Sequence, residues 1–117
     1  MSDEMARVMQ ILWAAPSNED ATIGERRVVM DEIGGNAPLA EGTEMEAVDA
    51  DGVPGQWLRP PGVVEDGALL YLHGGGYCLG SVVSHRSRAS KLAAAAGLPA
   101  LIVDYRLGPE HPFPAAV

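Results

Sequence analysis

Only one cysteine, Cys78, occurs in the 117 residues, so no internal disulfide can form and a reducing, cytoplasmic compartment is expected. Cations are scarce. Eight Lys and Arg stand against 16 Asp and Glu, a net charge of −8, which excludes the basic surface that phosphate-backbone recognition needs, so no nucleic-acid partner is predicted. No apolar run approaches the roughly 18 residues of a membrane span. The opening MSDEMARVMQ carries acids where a secretory leader has basic residues, and neither a span nor a leader is predicted. His73, His85 and His111 fall at irregular spacing without paired cysteines, so no metal and no cofactor is predicted.

What is present is periodic. Met5, Val8, Met9, Leu12 and Trp13 recur at i, i+3, i+4, i+7, i+8, which predicts an amphipathic helix ended by Pro16. Ser17 or Asn18 is placed to cap a second helix in which Ile23, Arg27, Met30 and Ile33 share a face and Gly34-Gly35 ends it. These faces read as ordinary packing surface, or as a cover over a pocket. Residues 43–60 predict two short antiparallel strands separated by Asp51-Gly52-Val53-Pro54-Gly55. Ala68 to Leu72 predicts a strand, Ser84 is a candidate N-cap for a helix whose stripe is Ala89, Leu92, Ala93 and Ala96, and Gly97 and Pro99 stop that helix. The unbroken run Ala100-Leu101-Ile102-Val103 predicts a strand buried on both faces, so residues 68–106 form one βαβ unit. Phe113-Pro114-Ala115-Ala116 predicts the first turn of a further helix. The fold class is therefore α/β, and folds of this kind commonly need roughly 200–250 residues.

The chemistry concentrates in His73-Gly74-Gly75-Gly76-Tyr77, directly after the first buried strand. Glycine admits positive φ and lets a ligand approach the main chain, so successive N–H groups become fixed donors. Such donors stabilise the oxygen of an attacked carbonyl more in the transition state than in the ground state. Gly75 and Gly76 are the candidate oxyanion donors, with Gly74 and His73 shaping the loop. A nucleotide site is the main rival. From Gly74 the dinucleotide pattern gives Gly76 but then Leu79 where a third glycine belongs, and no Gly-Lys-Ser/Thr follows. Cys78 reads as a packed thiol, since nothing identifies a base beside it. Ser84 and His85 are adjacent on a helix start, so their side chains diverge by about 100° and are expected not to meet; His85 reads as a solvated first-turn residue.

The strand followed by HGGGY, then SHRSRASKLAAAAG and LIVDYRLGPEHPFPAAV, closely resembles the hormone-sensitive-lipase-like family of α/β-hydrolases, which includes microbial carboxylesterases. An HGGG-type motif is a known source of oxyanion amides in lipases and esterases. The resemblance implies an N-terminal portion of an α/β-hydrolase fold, with residues 1–40 a helical cap segment and 41–117 an incomplete part of the core. It implies hydrolysis of short- to medium-chain carboxylic esters by a serine nucleophile, in the chain order Ser, Asp or Glu, His. Asp104, Arg106 and Glu110 then read as a buried scaffold network, and Gly108 stands where alanine is more usual. No Gly-x-Ser-x-Gly occurs in these residues. The triad is thus absent from this chain, which is expected to be inactive alone and to need the rest of the hydrolase domain as its partner, besides a small-molecule ester. An unpaired edge on the 68–72 strand would also leave association with copies of itself open. The same family includes receptor-like members such as the plant gibberellin receptors, which bind a small molecule without a working triad, and this is the alternative function.

Overall fold

Serine hydroxyls start the longest helix and a glycine ends it. The computed structural model describes residues 1–15 and 19–117. In it α3 (Val82–Ala96) begins at Ser81, whose side chain accepts from Ser84 N–H while Ser84 Oγ accepts from Ser81 N–H, a reciprocal capping box. The expected N-cap, Ser84, is thus the third helical residue and the cap lies three positions earlier. Gly97, at φ 69°, closes the helix in the left-handed conformation.

Ala89 and Ala93, one turn apart, are fully buried against the sheet, where Leu58 and Ile102 are also completely enclosed. Small residues on the helix let it lie close to these two large ones. Each such burial contributes roughly 1.5–3 kcal/mol.

The sheet runs β1-β2-β4-β3. β1 (Glu44–Ala50) and β2 (Val53–Arg59) form the expected antiparallel hairpin. The connection is only Asp51-Gly52, both at positive φ (55° and 88°), which is the signature of a two-residue type I′ turn whose twist matches the strands. Val53, Pro54 and Gly55, expected in the turn, therefore belong to β2. Gly55 is needed there, because a Cβ would come 2.7 Å from the Ile102 carbonyl oxygen. β3 (Leu69–Tyr71) pairs parallel with β4 (Ala100–Val103), as the βαβ reading requires, and β2 pairs antiparallel with β4. Ala100, Ile102 and Val103 are buried and Leu101 is half-buried.

α2 (Ile23–Gly35) is capped by Thr22 in a capping box with Glu25; Pro16, Ser17 and Asn18, assigned to helix ends above, lie outside the described residues. The helix ends at Gly35, within the expected Gly34-Gly35 pair, with Asn36 as its C-cap. A Cβ on Gly34 would fall 2.3 Å from the Ser84 carbonyl oxygen. The glycine thus permits α2 to touch the first turn of α3. α1 (Asp3–Ala14) buries no residue, and its stripe of Met5, Val8, Leu12 and Trp13 is exposed rather than packed. Phe113 to Ala116 form turns closed by Ala115 N–H to Pro112 O and Val117 N–H to Pro114 O, not the start of a helix.

Candidate active site

Where β3 ends, the chain turns inward at His73. Its side chain is 3% exposed and stacks on the Tyr105 ring, centroids 4.3 Å apart and planes 16° apart. Nδ1 lies 3.0 Å from the Gly74 carbonyl oxygen, so the neutral tautomer carrying its proton on Nδ1 donates to that oxygen. The Tyr105 hydroxyl donates to the His73 carbonyl oxygen. Burial, followed by the neighbouring Tyr77, pushes the Tyr105 phenol above its ordinary range, which keeps it a donor at neutral pH. Gly80, at φ 90°, passes so close that a Cβ would lie 2.4 Å from both Gly74 O and His73 Nδ1.

The glycine turn itself is closed by the Gly75 carbonyl, which accepts from Cys78 N–H at 3.2 Å and Leu79 N–H at 2.9 Å. Gly75 sits at φ 138°, where a Cβ would meet the Leu79 oxygen at 2.0 Å, and Gly76 at φ 62° faces open space. Tyr77 follows at φ 61°, an uncommon value for a residue with a side chain. Among the described residues the N–H groups of Gly75 and Gly76 donate to no group of the chain. They lie on the wall of a cavity of about 490 Å³ bounded also by His73, Gly74, Tyr105 and Ala116.

His85 and Ser84 do meet, contrary to expectation: Ser84 Oγ is 2.9 Å from His85 Nδ1. The divergence at Cβ is offset by the length of the imidazole. The hydroxyl oxygen also receives Ser81 N–H at 2.8 Å, so it serves the helix cap. His85 is half-buried, 5.4 Å from the His73 ring and 6.2 Å from that of Tyr71. Burial, then the neighbouring His73 and Arg88, pulls its pKa below the usual histidine range.

A family profile for the alpha/beta hydrolase fold matches residues 69–117. LipR of Mycobacterium tuberculosis is 42% identical over 95 residues, covering 81% of this chain and 31% of that protein. An acetyl-hydrolase of Streptomyces hygroscopicus is 38% identical over 120 residues, 99% of this chain and 38% of the relative. In three dimensions the chain is similar to an esterase of the bacterial hormone-sensitive lipase family, with a TM-score of 0.85, 39% identity, and coverage of 99% of this chain and 39% of that one. An esterase/lipase from an uncultured bacterium gives a TM-score of 0.89 at 37% identity, again over 99% of this chain and 40% of the other. The chain belongs to the hormone-sensitive-lipase-like α/β-hydrolases. It spans well under half the length of these relatives.

In this hydrolase portion the polar residues after β4 do not form the buried network expected of them. Asp104, Arg106 and Glu110 are all exposed. The three alternate with hydrophobic or turn residues as the chain leaves the sheet, and Asp104 and Glu110 turn to different partners. Asp104 Oδ1 accepts from Val82 N–H at 2.7 Å, placing a carboxylate at the positive N-terminus of α3. Glu110 pairs with Arg27 of α2, at 2.8 and 3.0 Å. That arginine was placed only as one member of a helical face; a lone cation among Ile23, Met30 and Ile33 was the available signal. Cys78 is a free, half-buried thiol. The unusual Gly108 is accommodated without loss, since a Cβ there would make ordinary 3.7 Å contacts with Cys78 Sγ and Tyr77 O. Among the described residues no cluster of three or more potential metal ligands occurs, and no helix is long and apolar enough to cross a membrane.

Proposed function

We propose that residues 73–77 form the oxyanion-binding element of a carboxylic ester hydrolase acting on short- to medium-chain esters. The observation that carries this reading is the pair of uncommitted N–H groups on Gly75 and Gly76, held at positive φ on a cavity wall above a buried, hydrogen-bonded His73. Two fixed amides facing one cavity suit an oxygen that gains charge as its carbonyl becomes tetrahedral. The relatives named for acetyl and ethyl acetate hydrolysis support a small ester as substrate. Gly74 and His73 shape the loop, and residues 1–40 would serve as a cap segment over the core portion 41–117.

The nucleophile must come from residues other than these 117, because no Gly-x-Ser-x-Gly is present. An oxyanion element stabilises a charge only after a nucleophile creates it. The chain alone is therefore expected to give no turnover of p-nitrophenyl butyrate above background. Joined to a segment bearing the serine, acid and histidine, it should hydrolyse that ester, and G75A, whose Cβ would meet the Leu79 oxygen at 2.0 Å and push both amides out of place, should lower kcat by about 10²–10³-fold. Clear turnover by the unassisted chain, or full kcat in G75A, would overturn the proposal.

A further inference from the structure

Arg27 stands on α2, yet its guanidinium reaches into both loops that frame the glycine turn. Nε donates to the Cys78 carbonyl oxygen at 2.8 Å, Nη2 donates to the Gly108 carbonyl oxygen at 2.6 Å, and Nη1 and Nη2 hold the Glu110 carboxylate. Gly108 in turn donates its N–H to the Tyr77 carbonyl oxygen at 2.7 Å. The first of these contacts opens a continuous path. The peptide group whose oxygen accepts from Arg27 is the Cys78–Leu79 peptide, and its N–H donates to the Gly75 carbonyl at 2.9 Å. The Gly75 carbonyl belongs to the same peptide group as the Gly76 N–H.

We infer that Arg27 is a positioning residue that orients and polarises the Gly76 N–H through two peptide groups. The path runs from the guanidinium to the Cys78 carbonyl, across that peptide to Leu79 N–H, on to the Gly75 carbonyl, and across its peptide to Gly76 N–H. Hydrogen bonds in such a chain strengthen one another, and a cation at one end draws electron density so that the terminal N–H becomes a better donor. The fork of the guanidinium is also what holds the plane. A lysine ammonium is a point charge without the fixed geometry needed to grip two carbonyls and a carboxylate together. Glu110 anchors the guanidinium from its outer side, leaving Nε aimed at Cys78. In this way an N-terminal helix enters the catalytic element without touching substrate. The functional meaning of this path rests on the oxyanion reading above, whereas the path itself concerns only the order of the loop.

The test is amide NMR with hydrogen exchange on the 117-residue chain, comparing wild type with R27Q, R27K and E110Q. R27Q removes the charge and should move the Gly76 amide proton upfield and speed exchange of the Leu79 amide by about tenfold, while the Ile102 amide of β4 is unchanged. R27K, which keeps the charge without the fork, should restore part of the Gly76 shift. E110Q keeps the carbonyl contacts and should show a smaller change in the same direction. A Gly76 signal unmoved in R27Q would overturn the inference. Exchange at Ile102 rising in step with Leu79 in both Arg27 variants would also do so, by assigning Arg27 to general stability. No substrate enters this measurement, so a clear R27Q response beside full kcat of G75A in the chain joined to the triad-bearing segment rejects the oxyanion reading alone, and the converse pattern rejects the path alone.

Discussion

The Tyr105 phenol both stacks on the His73 ring and donates its hydroxyl to the His73 carbonyl oxygen. One side chain from the end of β4 thereby restrains both the imidazole and the backbone of the residue that opens the glycine turn. The ring contact buries apolar area, and the hydroxyl satisfies a carbonyl that the end of β3 leaves without a ladder partner.

These two contributions can be separated. Y105F keeps the stack and removes the donor, so it should lower stability by about 0.5–1.5 kcal/mol. Urea unfolding curves at neutral pH measure this directly. An unchanged midpoint would show that water replaces the phenol at the His73 carbonyl.

Glycines 34 and 108 should respond oppositely to alanine. At Gly34 a Cβ would fall 2.3 Å from backbone of α3, which cannot move aside as a flexible side chain would, whereas at Gly108 the nearest atoms are 3.7 Å away. G34A should therefore separate α2 from α3 and cost on the order of 1–3 kcal/mol. G108A should leave the midpoint within about 0.5 kcal/mol of wild type. Thermal melts of the two variants side by side check both.

Acid should weaken the link between α2 and the loop after β4 within a defined window. The hydrogen bonds from Arg27, then that from its own backbone N–H, hold the Glu110 carboxyl down from 4.5 to about 2. The unfolded chain takes up this proton at the higher value, so the contribution is complete above pH 4.5 and is lost as pH falls toward about 2. His85 adds a loss of the same sign at higher pH. Its folded pKa lies below 6.5, so its contribution is present above that value and fades as pH falls beneath it. Carboxyl and histidine NMR titrations report the two steps, and E110Q should remove only the lower one.

Local signals in this chain were read correctly where neighbours in sequence suffice. The period of Met5 to Trp13 marked α1, the stretch Asp51 to Gly55 marked a hairpin although only its first two residues form the turn, and Gly97 with Pro99 marked the end of α3, because propensity and turn geometry act over a few residues. Errors arose where a second local option existed. Ser81 and Ser84 are both capping residues and exchange their roles in one motif, so composition alone did not choose between them. Gly34-Gly35 marked the end of α2 at Gly35, whereas the close approach of α3 at Ser84, which uses the first of the pair, has no local signal. The Arg27 contacts with Cys78, Gly108 and Glu110 span 51 to 83 residues of sequence, and no periodicity reaches that far.

By itself the sequence determined the α/β character, the parallel βαβ unit, the acidic composition and a triple-glycine turn after a strand, since each follows from local sterics and hydrophobic pattern; the burial expected of that strand fails, because β3 lies at the sheet edge with Leu70 and Leu72 exposed. The tertiary structure alone decided which N–H groups remain uncommitted, which residue buttresses His73 and which cation reaches the loop. Those outcomes depend on through-space distances of a few ångströms between distant segments, and they arise only when α2, the sheet and the loop after β4 pack together.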